Sequence, residues 1–127
     1  MGLNKPVDFT TAKLLKEKAF NEPCRWYMED GVTLSGSNET NDYLFPGYYS
    51  APTIAEVVMW LYENHKIWIV VSTTISKQFI YKCIDMSGEK DQSKSNYPTC
   101  ISKDGTYYNS PTEAYLQAIM YTLKNLI

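Results

Sequence analysis

The segment Asp104-Gly105-Thr106-Tyr107-Tyr108-Asn109-Ser110-Pro111-Thr112-Glu113-Ala114 has the pattern of a junction between a β-strand and an α-helix. Asp104-Gly105 is a tight-turn pair, and the aromatic and β-branched residues after it are typical of a short strand. Ser110 can cap a helix that begins at Pro111, and Glu113 completes the start signal. The pattern predicts a helix over residues 111–126. Its apolar stripe consists of Leu116, Ile119, Met120, Leu123 and Ile127, broadened by Tyr115, Ala118 and Thr122.

The middle of the chain carries the clearest helix signal. Thr53 and Glu56 have the spacing of a capping box. A strand over residues 67–74 follows the helix almost at once, and the short link at Ser76-Lys77 favours an antiparallel hairpin with residues 78–84. The predicted stripe of this helix has the i, i+3, i+4, i+7 spacing of an amphipathic helix and consists of Ile54, Val57, Val58, Leu61 and His65.

A helix and a hairpin are also predicted near the N-terminus. Thr10 can cap a helix over residues 11–20. Alternating side chains over residues 24–28 favour a strand, and Asp30-Gly31 is a strong signal for a two-residue turn that returns through residues 32–34.

A third hairpin, over residues 100–108, completes the predicted element order α-ββ-α-ββ-ββ-α. Because the strands occur in adjacent hairpins, the order predicts an α+β fold: one domain over residues 1–127, with an antiparallel sheet of four to six strands packed with three helices. Residues 35–51 and 86–98 are predicted to form loops.

The composition of the chain argues against several classes of function. The net charge of -2 disfavours a general affinity for nucleic acid or anionic membranes. No apolar run approaches the roughly 20 residues that span a bilayer, and the N-terminus lacks the apolar core of a signal peptide, so a cytoplasmic location is expected. The three Cys and one His form no zinc-binding pattern, and the glycines fit no phosphate-binding loop. We therefore expect neither a metal nor a cofactor.

His65 is the only histidine, and its position at the end of the second helix favours a role in capping or packing. A catalytic pair would require Cys24, Cys83 or Cys100 beside it. Cys24 and Cys83 lie on predicted buried strand faces, where thiols are unreactive. No catalytic constellation is recognised, and we expect that the protein is not an enzyme.

Aromatic residues are unusually frequent, with 11 Tyr, 3 Trp and 4 Phe. Tyrosine offers a large contact area with few torsions to restrict, and it is enriched at binding surfaces. The alternative is that these rings hold the long loop against the sheet. The predicted interaction surface consists of the aromatic residues in or beside loops: Tyr43, Phe45, Tyr48, Tyr49, Tyr107 and Tyr108.

A second hypothesis is nucleic-acid binding, because tyrosines on a sheet can stack on bases when a positive groove lies beside them. The lysines that could form such a groove are Lys66, Lys77, Lys82, Lys94 and Lys103. Nothing in the sequence requires them to meet, and this function is the less favoured one.

Several short segments of the sequence resemble those of a family of small uncharacterised proteins encoded by phages and prophages of gut Bacteroidetes. The resemblance spans most of the chain outside the loops and rests on residues 12–18, 21–24, 49–53, 60–65 and 110–114. It implies a cytoplasmic accessory protein of phage or mobile-element origin, and it carries no catalytic residue. The leading expectation is a non-catalytic protein-interaction module whose partner is a host or phage protein, or a second copy in a homodimer.

Overall fold

The computed structural model describes residues 2–29, 34–36, 40–44, 47–86 and 107–127. Its α-helices are α1 (Phe9–Glu17), α2 (Ile54–His65) and α3 (Pro111–Asn125). One antiparallel sheet contains β1 (Trp26–Met28), β2 (Leu34–Gly36) and β3 (Tyr49–Ser50) in the order β2-β1-β3. A second contains β4 (Ile67–Thr73) and β5 (Phe79–Asp85). The predicted α+β class with three α-helices is confirmed.

The expectation of one sheet with four to six strands is wrong, because the strands of the described residues divide into sheets of three and two. The observed order is α-ββ-β-α-ββ-α. Thr53 forms a bridge with Pro6, and the Val7 N–H donates to the Pro52 carbonyl at 2.9 Å. The N-terminal segment therefore pairs with the chain between β3 and α2.

The third predicted hairpin lies outside the described residues except for its end. There Tyr108 pairs with Phe79 through two backbone hydrogen bonds of 2.8 and 2.9 Å. This bridge extends the β4–β5 sheet on the β5 side.

The first hairpin forms with a different register from the predicted one. A two-residue turn at Asp30-Gly31 would pair Met28 with Thr33, whereas Met28 pairs with Leu34. The turn residues themselves lie outside the described residues. Because side chains alternate along a strand, this shift of one residue exchanges the faces of the returning strand.

The predicted loop over residues 35–51 contains regular structure. It includes the end of β2, a 3₁₀ turn over Asn41–Tyr43 and the strand β3. Asn41 is buried, its amide donates to the Phe20 carbonyl at 2.7 Å, and its side-chain oxygen accepts from the Ser50 N–H at 2.9 Å. One side chain thus satisfies the backbone of two segments that are distant in sequence.

Helix α1 begins two residues before the predicted start. Asp8, and not Thr10, is the N-cap, and its carboxylate accepts from the Thr11 N–H at 2.9 Å. The helix ends at Glu17, and Ala19 then adopts a left-handed φ of 66°. Both Asp8 and Thr10 are good capping residues, so local sequence does not distinguish them.

The capping predictions for the other two helices are confirmed. Thr53 and Glu56 form both hydrogen bonds of the capping box, and the Ser110 hydroxyl accepts from the Glu113 N–H at 3.1 Å. The buried face of α3 differs from the predicted stripe, because Leu116, Met120 and Ile127 are only partly buried. Its buried residues are Ala114, Ala118, Ile119, Thr122 and Leu123.

The buried face of α3 carries small side chains where it meets β5. Ala118 and Thr122 let β5 approach closely, and the Thr122 hydroxyl lies 3.4 Å from the Cys83 sulfur. The core that results joins residues from all three helices and from β4 and β5.

Candidate functional site

The aromatic residues predicted as one interaction surface lie in two separate groups. Tyr48 and Tyr49 lie beside α1 and β1, whereas Tyr107 and Tyr108 lie between β5 and α3. Phe45 and the side chain of Tyr43 lie outside the described residues. No ring contact between described residues joins the two groups.

Tyr48 and Tyr49 are held by contacts within the protein. The Tyr49 ring packs edge-on against Phe9 with centroids 5.5 Å apart, and the Lys16 ammonium lies 5.1 Å from the Tyr49 centroid. Lys16 also donates to the Tyr48 carbonyl at 2.9 Å. A hydrogen bond to the Glu29 carboxylate raises the pKa of Tyr48, and the charge of Glu29 adds to the effect. These contacts fit the alternative role of the rings, which is to hold the long loop against the sheet: Tyr48 packs against Tyr27 of β1, although Tyr49 packs against α1 instead.

Tyr107 is 51% exposed, and Tyr108 is partly buried against Tyr81 with centroids 6.1 Å apart. Burial raises the pKa of Tyr108, and the nearby charge of Glu113 raises it further. Tyr121 also contacts Tyr81, with centroids 6.4 Å apart. A small recess of about 180 Å³ lies between these rings and the last two turns of α3.

A larger concave surface lies elsewhere, along the outer side of α2. A groove of about 400 Å³ runs between α2 and residues 20–23. Its apolar lining includes Phe20, Pro23, Met59 and Trp60. Phe20 and Trp60 are both buried and pack edge-on with centroids 5.1 Å apart, so the floor of this groove is part of the core.

A second groove of about 320 Å³ adjoins the first and is lined by Met59, Tyr62, Trp68 and Met86. The exposed fractions are 45% for Met59, 36% for Tyr62 and 54% for Met86. Met59 lines both grooves, so they form one surface. We call it the α2 outer face and define it by its apolar residues: Phe20, Met59, Trp60, Tyr62, Trp68 and Met86.

The α2 outer face was not predicted from the sequence, although two apolar residues of α2 indicated it. Met59 and Tyr62 fall outside the buried stripe of a strongly amphipathic helix, on the side that faces solvent. Large apolar residues at such positions mark interaction surfaces when they form a patch. Whether they form one depends on Trp68, Met86 and Phe20, and only the fold brings these residues to α2.

Carboxylates surround the first groove. Glu22, Glu56 and Glu63 line it together with the apolar residues. None of the three forms an ion pair with a basic side chain of the described residues. Cys24 follows Pro23, a residue of the groove lining, and is 2% exposed. Burial, followed by the charge of Glu56, raises the pKa of the Cys24 thiol to about 12, although the Ser50 hydroxyl acts in the opposite direction.

The residues considered for a catalytic pair are Cys24, Cys83, Cys100 and His65. The Cys24 thiol stays protonated at neutral pH, and Cys83 is fully buried. Cys100 lies outside the described residues. His65 packs edge-on against Trp60 with centroids 4.9 Å apart, which places it at the packed end of α2. No cluster of three or more His, Cys, Asp or Glu side chains suited to a metal ion occurs in the part of the chain that the structure describes.

No helix formed by the described residues has both the length and the apolar character needed to cross a bilayer. Comparisons of the chain with protein-family models, with curated proteins and with solved structures give no match.

Proposed function

We propose that this protein is a non-catalytic interaction module that binds another polypeptide through the α2 outer face. The observation that carries the proposal is the grouping of three exposed apolar side chains, Met59, Tyr62 and Met86, over two adjoining grooves. Apolar patches of this kind mark binding surfaces, and methionine side chains adapt to the shape of a partner. Trp60 and Trp68 provide large aromatic surfaces for such a contact.

The resemblance to phage and prophage proteins of gut Bacteroidetes supplies the proposed context. In that context the protein is a cytoplasmic accessory factor, and its partner is a host or phage protein or a second copy of the chain.

The experiment is capture of partners by tagged protein from a Bacteroidetes lysate treated with nuclease, followed by quantitative mass spectrometry. Met59→Asp places a charge at the centre of the α2 outer face. Ile75→Asp is the matched control, because Ile75 is fully exposed at the β4–β5 turn. The length of β4, about 20 Å, separates that turn from the α2 end of the hairpin.

We expect one protein to be recovered in stoichiometric amount by the wild type and by Ile75→Asp, and to be lost with Met59→Asp. Equal recovery by both variants would overturn the assignment of the α2 outer face.

The tyrosine surface predicted from sequence remains a second proposed contact region. Tyr107 is the most exposed of its described members. Capture with Tyr107→Ala, and separately with Tyr48→Ala combined with Tyr49→Ala, tests whether either group contributes to partner binding.

Nucleic-acid binding is the second candidate function, and a feature of α1 favours it. The Lys13 ammonium lies 5.4 Å from the Phe9 centroid, beside the Lys16 and Tyr49 pair, so cations and rings share one surface. Phosphate contacts release counterions, and binding would weaken steeply as salt rises. Titration of labelled single-stranded DNA at 50 and 200 mM NaCl tests this function, and binding that is insensitive to salt would exclude it.

A further inference from the structure

We infer that the occupant of the first groove of the α2 outer face is a cationic amphipathic segment of the partner protein. The inference rests on the proposed function and adds the chemical class of the partner. An apolar side chain of the segment would lie over Met59 and Trp60, and its Lys or Arg side chains would face the carboxylates of the groove.

The spacing of the groove residues along α2 supports a helical or extended peptide. Glu56, Met59 and Glu63 are separated by three and four residues, so they lie on one side of the helix. About 10 Å of helix axis separates Glu56 from Glu63. Glu22 lies in the chain segment that forms the opposite wall of the groove. The order is therefore acidic, apolar, acidic along one wall, with a further acidic residue on the other.

The position of Glu63 indicates that its charge does not serve the helix itself. It lies in the last turn of α2, where the helix dipole disfavours a negative charge. Lys66 lies three residues further on, but its ammonium lies 5.5 Å from the centroid of the Tyr62 ring, and Glu63 forms no ion pair with the described residues. A cation supplied by a partner would relieve this arrangement.

Other occupants fit the groove less well. Nucleic acids and anionic lipids would bring phosphates against three carboxylates. In a symmetric homodimer the same face of each copy meets its counterpart, so the carboxylates of Glu22, Glu56 and Glu63 from both copies would enter one interface. Like charges across an interface disfavour that pairing.

The test uses the whole protein and two labelled 14-residue probes, followed by fluorescence anisotropy. One probe is an amphipathic peptide of Leu and Lys, and the other has Glu in place of every Lys. We expect saturable binding of the Lys peptide and none of the Glu peptide. Glu63→Lys should weaken binding of the Lys peptide severalfold and its combination with Glu22→Lys about tenfold. Glu17→Lys, on the exposed side of α1, makes the same charge change as Glu63→Lys and should leave binding unchanged.

A second readout locates the contact. With the methionine methyl groups labelled for NMR, the Lys peptide should shift the signal of Met59, which lines the first groove, while that of buried Met28 stays unchanged. Equal binding of both peptides, an equal loss with Glu17→Lys, or an unshifted Met59 signal would each overturn the inference.

Failure of the inference is distinguishable from failure of the proposed function. If Met59→Asp abolishes partner capture while the Glu22 and Glu63 reversals do not weaken it, the face binds a partner of another chemical class. If Met59→Asp leaves capture intact, the proposed function itself is wrong.

Discussion

The Tyr62 ring meets the Trp68 indole edge-on, with centroids 5.5 Å apart and planes at 78°. Tyr62 lies in the last turn of α2, and Trp68 lies near the start of β4. Lys66 is the single residue between this helix and this strand, and the ring contact bridges it. Lys66 adopts a left-handed φ of 57°, and its carbonyl accepts from the Met86 N–H at 2.6 Å. These contacts join the end of α2, the turn at Lys66 and both strands of the hairpin, and Tyr62, Trp68 and Met86 line the second groove of the α2 outer face.

Tyr62→Ala should therefore affect both stability and binding. Loss of the aromatic pair is expected to lower the free energy of unfolding by about 1 kcal/mol. Urea denaturation measures the change, and Tyr62→Phe is the control, since it keeps the ring and removes only the hydroxyl. A stability loss of the same size in both variants would show that the ring contact is not the cause.

Capping of α1 gives a second prediction. Asp8→Ala should lower the free energy of unfolding by about 1 kcal/mol, because the Thr11 N–H loses its acceptor. Thr10→Ala should change it by less than about 0.5 kcal/mol, because Thr10 lies within the helix on its exposed side. Thermal or urea unfolding of the two variants measures both losses. A larger loss with Thr10→Ala than with Asp8→Ala would show that Thr10 is the N-cap of α1.

The contact between α3 and β5 gives a third prediction. Ala118 is fully buried, and its carbonyl lies 3.8 Å from the Cys83 sulfur. Ala118→Leu should overpack this contact and cost about 1–3 kcal/mol. Gln117→Leu makes a similar apolar change at the neighbouring exposed position, and it should stay within about 0.5 kcal/mol of the wild type. Equal stabilities of the two variants would contradict the placement of α3.

The buried thiol of Cys24 gives a fourth prediction, which concerns pH. Its pKa rises from 9.0 to about 12 on folding, so between these values the unfolded chain holds fewer protons than the folded one. Stability must then fall as the pH rises through this window, by up to about 1.4 kcal/mol per unit. Below pH 8 the group contributes no slope.

Cys24→Ala is the comparison, because it removes this titration and leaves the tyrosines that ionise in the same range. Urea unfolding in reducing buffer from pH 8 to 10.5 should show a steeper loss for the wild type than for the variant. Parallel curves above pH 9 would show that the thiol does not titrate as its burial implies.

Local signals predicted the helices well. The capping box at Thr53 and Glu56 and the Ser110-Pro111 start are properties of four neighbouring residues, and both form as expected. The antiparallel pairing of β4 with β5 also followed from a short connection. Such features need no knowledge of the rest of the chain.

Features that depend on distant partners were predicted poorly. Pro6 and Thr53, which form a backbone bridge, are 47 positions apart in the sequence. Neither residue type predicts that the two positions pair. The same holds for Asn41, whose side chain links Phe20 to Ser50 and turns a predicted loop into ordered structure.

The sequence by itself determined the α+β fold class, the starts of α2 and α3 and the hairpin β4–β5. These features depend on periodicity, capping and turn chemistry, which act over a few residues. Only the tertiary structure decided the buried face of α3, the division into two sheets and the grooves of the α2 outer face. Those depend on which surfaces meet: Ala118 is buried because β5 approaches it. Met59 becomes the centre of a surface because Phe20, Trp68 and Met86, far apart in the chain, pack on either side of it.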